Sequence, residues 1–128
     1  MEIAVVIDAS VFIKHWRSKN RNDSLLSQLI RQQRRLYVAA VAKYEVLTGV
    51  KEEDLEEWQE IFESIVVLAF DESTVMIARD ICQQLKKENK MIDLGDILIA
   101  ATAVANGLPL ATLNRNHFER VRGLELVG

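Results

Sequence analysis

Cysteine occurs once, at Cys82, in a chain of 128 residues, so no intramolecular disulfide can form. A cysteine-based zinc site is excluded with it, because such sites need several thiolate or imidazole ligands and the only histidines are His15 and His117. Proline is nearly absent, Pro109 alone, and glycine occurs five times. So few chain breakers predict long regular elements and short loops, with no linker, repeat or low-complexity tract. Long apolar runs are also missing. Leu36–Ala42 and Ile97–Ala105 fall well short of the ~20 residues that span a bilayer, so no membrane partner is expected. The start, Met1-Glu2-Ile3-Ala4, lacks the basic region and cleavage site of a secretory signal, and a cytoplasmic protein is expected. No G-x-G-x-x-G and no G-x-x-x-x-G-K-[ST] occurs, which removes dinucleotide-binding and P-loop chemistry. Ser10 has no histidine and acid arranged around it for nucleophilic catalysis.

What is present suits one domain over residues 1–128. A chain of this length buries roughly two-thirds of its unfolded surface and sustains a core without disulfides. Apolar residues at 49% and charged residues at 27% are ordinary globular usage. The formal net charge of −3 argues by itself against a simple electrostatic nucleic-acid binder. The charges are segregated, however. From Lys14 to Arg35 there are seven Lys and Arg against Asp23 alone. From Glu45 to Glu72 there are ten acids against Lys51 alone. Seven of those ten lie in Glu52–Glu63 and read as a solvated helix face. The basic segment reads as a phosphate-tracking surface.

Ile3–Ile7 is a continuous β-branched run ending at Asp8, the pattern of a parallel strand buried on both faces. A short helix is expected over Ser10–Trp16, and a second to about Gln33, capped by Asn22 or Asp23. Leu36–Val38 reads as a strand, and Val41–Gly49 as a helix carrying Glu45 and stopped by Gly49. Glu52–Glu63 reads as an acidic helix with Trp58 and Phe62 on its apolar side, packing with Trp16 in a core or an interface. Ile65–Phe70 reads as another buried strand, followed by a helix capped by Asp71 or Ser73 and running to about Lys87. Asp93–Asn106 is the most apolar helix and belongs deep in the fold, stopped by Gly107. Leu108–Thr112 and Leu124–Val127 read as strands, with a loop or single helical turn at Asn114–Phe118. Strands alternating with helices predict an α/β domain with a mostly parallel central sheet flanked by helices.

Ligands of such sheets bind beyond the carboxyl ends of strands. Asp8 and Asn114 each follow a strand, Asp96 lies in the first turn of the apolar helix, and Glu45 lies within a short helix. These four polar groups from distant parts of the chain can meet at one edge. Hard divalent cations take a few carboxylates plus water and substrate phosphates, and can serve phosphoryl displacement. Each residue has a structural alternative. Asp8 can cap the helix after it, Asp96 can complement the helix dipole, and Asp93 is placed to cap the same helix. Glu45 can sit on a solvated face, Asn114 and Asn116 can be turn residues, His117 can serve capping or loop packing, and His15 can lie on the surface.

Four stretches together resemble the PIN-domain ribonucleases, specifically the VapC-type toxins of toxin–antitoxin pairs. They are Val6-Ile7-Asp8-Ala9-Ser10-Val11-Phe12-Ile13, Ala42-Lys43-Tyr44-Glu45-Val46-Leu47-Thr48-Gly49, Asp96-Ile97-Leu98-Ile99-Ala100-Ala101-Thr102-Ala103 and Thr112-Leu113-Asn114-Arg115-Asn116-His117-Phe118. Their order and spacing agree over essentially the whole chain. The resemblance implies a PIN-like single domain and Mg²⁺- or Mn²⁺-dependent hydrolysis of RNA. Asp8, Glu45 and Asp96 map to the family's metal-holding acids, with Asn114 beside them in the catalytic set. Ser10 and Thr112 map to polar support, and Asn116 joins that supporting group. Asn114 and Asn116 are amides where many relatives have a fourth acid, and Asp93 can supply that carboxylate from the helix start. Lys14, Arg17, Arg21 and Arg115 are the candidate RNA contacts. A homodimer and a small antitoxin whose tail enters the active-site groove are implied as well. Two other readings compete: a PIN-fold module that binds RNA or protein without cutting, and a phosphoacceptor receiver-like domain. The second lacks both the N-terminal acidic pair and a late strand-end lysine, since no lysine follows Lys90.

Overall fold

The computed structural model describes residues 4–32 and 34–127. The expected strand start at Ile3 and helix end at Gln33 lie outside the described residues. Five strands form one sheet: β1 (Ala4–Ile7), β2 (Arg35–Ala39), β3 (Val66–Leu68), β4 (Leu110–Ala111) and β5 (Leu126–Val127). Their order is β3-β2-β1-β4-β5 and every pairing is parallel. The α/β architecture is therefore the one expected. Val5, Val6 and Ile7 are fully buried at the sheet centre, as a β-branched run between two partners should be.

Seven helices flank the sheet among the described residues: α1 (Ala9–Arg17), α2 (Leu25–Arg31), α3 (Ala40–Thr48), α4 (Leu55–Glu63), α5 (Glu72–Lys87), α6 (Leu94–Ala105) and α7 (Arg115–Phe118). The apolar α6 buries Ile97 and Ile99 through Ala103 and packs on α5 and α3. Phe12 of α1 meets Trp58 and Phe62 of α4 at ring centroids of 6.4 and 5.1 Å, and Trp16 lies 4.9 Å from Trp58. The three aromatics expected in a core or an interface thus join α1 to α4. Among the described residues no helix is long and apolar enough to cross a membrane.

Several local expectations are corrected. Ser24, not Asn22 or Asp23, caps α2: its backbone is extended and its Oγ accepts from Ser27 N at 3.1 Å. Asp23 lies in a single 3-10 turn, where its carboxylate accepts from Asn20 at 2.7 Å. His15 is partly buried rather than on the surface, with Nδ1 2.7 Å from Ser24 Oγ. The run Ile65–Phe70 yields a strand of three residues at the sheet edge, leaving Val66 51% and Val67 40% exposed. Apolar content alone does not distinguish a buried strand from an edge strand. Asp71 does cap α5, accepting from Thr74 N at 3.2 Å.

In the strand order, chain progress reverses beside β1. β2 and β3 extend the sheet one way, and β4 and β5 extend it the other. Beyond the carboxyl ends of strands at such a switch point, the connections diverge and leave a crevice. Asp8 follows β1 there, and Thr112 follows β4.

Candidate active site

Asp8 occupies the N-cap position of α1, yet its side chain makes no cap hydrogen bond. Its Oδ2 instead accepts from Ser10 Oγ at 2.7 Å and Thr112 Oγ1 at 2.8 Å. The side chain is held by β1, α1 and the end of β4 together, and the residue is only 2% exposed. Two hydroxyl donors meet the requirement that a buried carboxylate be hydrogen-bonded. Both hydroxyls are themselves fixed: Leu113 N donates to Ser10 Oγ, and Asn114 N donates to Thr112 Oγ1. The end of β4 is thereby tied to the Asp8 carboxylate.

Asp8, Ser10, Glu45, Asp93, Asp96, Asn114 and His117 line one open depression of about 280 Å³. The structure therefore brings together the four acids and the amide Asn114 from separate elements. Asp93 stands at the N-cap of α6 without making a side-chain cap bond, so its carboxylate is free to face the depression. Burial raises the Glu45 carboxyl above its ordinary value, and the charges of Asp8, Asp96 and Asp93 push it the same way. Burial also raises Asp96; the hydrogen bond with His117 opposes this, and Asp8 and Asp93 add to it. Among the described residues no side chain donates a hydrogen bond to Glu45.

Two residues of the site went unassigned in the sequence reading. His117, expected to cap or pack a loop, has Nδ1 3.1 Å from Asp96 Oδ2. An ionised carboxylate only accepts, so Nδ1 carries the proton in this contact. Gly95, between Asp93 and Asp96, was passed over. A Cβ built there falls 2.5 Å from Glu45 Oε2, so the absence of a side chain is what admits the Glu45 carboxylate to α6. The signal for His117 was its place in the closing motif; Gly95 gave none, because α3 and α6 meet only in the fold.

Other candidates are placed elsewhere. Asn116 is exposed and lines a separate depression with Lys90 and Arg120, so it does not support the acids. Arg115 is turned along α7 toward Glu119, 3.8 Å away. Arg21 donates to Trp16 O at 3.0 Å and lies over that indole. Arg17 and Lys14 are exposed and make no such contacts among the described residues.

Residues 5–124 match the family model of the PIN domain. The chain belongs to the PIN-domain family. Ribonuclease VapC1 of Methanocaldococcus jannaschii is 30% identical over 122 residues, covering 94% of this PIN domain chain and 83% of that protein. Ribonuclease VapC10 of Mycobacterium tuberculosis is 32% identical over 115 residues, covering 89% and 85%. The fold superposes on a chain of VapBC-1 from nontypeable Haemophilus influenzae with a TM-score of 0.84 at 20% identity, covering 98% and 97%. It superposes on a chain of DNA-bound VapBC from Salmonella typhimurium with a TM-score of 0.81, at the same identity and coverage. The expected PIN-like fold is thereby established, and the receiver-like reading is overturned.

PIN domains imply a divalent cation, and this chain's residues fit one. Among the described residues no three acidic, histidine or cysteine side chains form a closed ligand cluster. Mg²⁺ does not need such a cage, because it retains water and takes one or two carboxylates plus phosphate oxygens. Four acids that share one depression and raise one another's protonation lack only a compensating cation.

Proposed function

We propose that this PIN domain, as a single domain over residues 1–128, is a VapC-type endoribonuclease that hydrolyses RNA phosphodiester bonds with Mg²⁺ or Mn²⁺. The observation that carries the reading is the convergence of Asp8, Glu45, Asp93 and Asp96 at the switch point of a PIN fold. Asp8 and Asp96 are the principal ligands, with Glu45 and Asp93 completing the set. When bound, the cation supplies charge neutralisation and polarisation of the phosphodiester. The chain's own residues prepare the place. Ser10 and Thr112 hold the Asp8 carboxylate in one orientation, and His117 holds Asp96. Glu45 faces the depression with no internal donor, leaving its oxygens for the ion or for the attacking water. The Asn114 carboxamide borders the same space and is available to the substrate. Exposed Lys14 and Arg17 extend positive charge along α1 toward the incoming strand.

The same reading makes the protein the cytoplasmic toxin of a pair restrained by a small antitoxin. It also makes it a homodimer. Val75 and Met76 on α5, with Tyr44 and Leu94 nearby in sequence to the site acids, are large apolar side chains left 48–70% exposed, as a subunit contact would use.

The deciding experiment is cleavage of single-stranded RNA with Mg²⁺, with EDTA, and by Asp8→Asn and Asp96→Asn proteins. Metal-dependent cutting by the parent and its loss in both variants is expected. Equal cutting by the variants would assign the activity to a contaminant. RNA binding without any turnover would establish the non-catalytic reading instead.

A further inference from the structure

A second depression adjoins the acids and is built from different chemistry. Its volume is about 260 Å³, below the ~300 Å³ at which drug-sized ligand pockets begin, so it suits one planar group. Glu45 and Ile13 line both depressions, which makes the two continuous. Trp16 and Trp58, 4.9 Å apart, line it on one side. Arg17 and Lys51 border it and carry the sign a phosphate requires. Asp54 also lines it, half-buried. Asp54 precedes α4 but makes no side-chain cap bond, and no described residue donates to its carboxylate. A half-buried acid beside two indoles, with both oxygens free, calls for a ligand with N–H donors.

We infer that this depression receives a single unstacked guanine of the RNA strand lying across the carboxylates. The inference starts from the ribonuclease reading and names the base that flanks the cut. Single-stranded RNA is read by splaying bases onto aromatic side chains and bonding their Watson–Crick edges. A carboxylate offers two acceptors and no donor. Guanine presents two adjacent donors on that edge, N1–H and the N2 amino group, and meets both oxygens at once. Adenine and cytosine place an acceptor beside their amino group, and uracil has one N–H between two carbonyls. Only guanine pairs with Asp54 without opposing two acceptors. Arg17 and Lys51 then face the phosphate attached to that nucleotide.

The two tryptophans of the chain both line the pocket, so an occupant reports on itself through their fluorescence. Guanosine monophosphate should quench with a Kd about tenfold or more below those of the adenosine, cytidine and uridine monophosphates. Asp54→Asn, shown by circular dichroism to be folded, should lose that margin and favour the adenosine or cytidine nucleotide, because a carboxamide pairs one donor with one acceptor. Trp16→Phe should weaken all four alike. In parallel, cut sites mapped on a randomised single-stranded RNA should show guanine at one fixed position beside the break, and Asp54→Asn should change that base. Equal quenching by all four nucleotides, or a guanine preference that survives Asp54→Asn, overturns the pocket. So does quenching by an apolar peptide when guanosine monophosphate has no effect, which would make this a protein-docking pocket. Cutting without base preference sinks the guanine pocket and leaves the nuclease. Guanine-selective quenching without any cutting does the reverse.

Discussion

His117 and Asp96, separated by 21 positions in the chain, meet at 3.1 Å between Nδ1 and Oδ2. α7 therefore does for Asp96 what Ser10 and Thr112 do for Asp8: a neighbouring donor fixes which oxygen faces the depression. Outer partners of this kind typically govern metal affinity by about 10–100-fold. His117→Ala should raise the Mg²⁺ concentration needed for half-maximal cleavage by that order, and weaken Mn²⁺ binding measured calorimetrically in step. The imidazole is 43% exposed, so the folded state should be little affected. Unchanged metal dependence would show that Asp96 needs no such support.

Glu45 gives a stability signature with a defined sign. Its folded carboxyl is raised above the ordinary 4.5, first by burial and then by Asp8, Asp96 and Asp93. Between that ordinary value and the raised one, the folded state binds more protons than the unfolded state. Stability from this group is therefore highest at low pH and falls as pH rises through the raised value. In EDTA at pH 8, Glu45→Gln should melt at a higher temperature than the parent, and the gap should close as pH approaches 4.5. Saturating Mg²⁺ should also close or invert the gap, because the ion stabilises the parent by mass action. A gap independent of both pH and metal would mean that charge crowding is not its cause.

Gly95 tests how closely α3 and α6 must approach. Alanine there places its Cβ 2.5 Å from Glu45 Oε2, and the flexible end of the glutamate must move. Replacing glycine by alanine in a helix gains up to about 1 kcal/mol, less in a first turn. Gly95→Ala should accordingly keep or slightly raise the melting temperature while lowering cleavage at limiting Mg²⁺ by about tenfold, the scale of a displaced ligand partner. Normal Mg²⁺ activation with unchanged cleavage would show that Glu45 need not sit where the structure puts it.

The parallel α/β core was legible because β-branched runs and apolar helices bury themselves in ways that periodicity records, as at Val5–Ile7 and Ile97–Ala103. Strand-end acids were legible because parallel sheets concentrate chemistry at carboxyl ends, which singled out Asp8. Contacts between elements were not. The Glu45–Gly95 approach depends on how α3 lies against α6, and the His117–Asp96 contact on how α7 turns back over the α6 N-terminus. Asn116 shows the converse error. It stands one residue from His117, but a single helical turn sends neighbours to different sides, so motif proximity misassigned it. The exposed β3 was misread because an apolar run carries no record of whether a second strand lies beside it.

The basic segment divides on the same ground. Arg17 and Arg21 look equivalent in sequence, yet only Arg17 is free of contacts among the described residues. Arg21 is engaged by the Trp16 carbonyl at 3.0 Å, with its guanidinium 4.6 Å from the indole centroid. A cation–π contact at an exposed site contributes about 0.5–1 kcal/mol, so Arg21→Ala should lower stability by that order. A side chain already tethered to the protein contributes less to a passing phosphate. Arg17→Ala should weaken RNA binding and reduce the magnitude of the slope of log K against log salt by about 0.7, the single-strand value for one lost contact. Arg21→Ala should reduce it by clearly less. Fluorescence-anisotropy titrations of a short single-stranded RNA over a salt series, with Ca²⁺ in place of Mg²⁺ to limit cleavage, separate the two. Equal slopes for both variants and the parent would place the phosphate track away from α1.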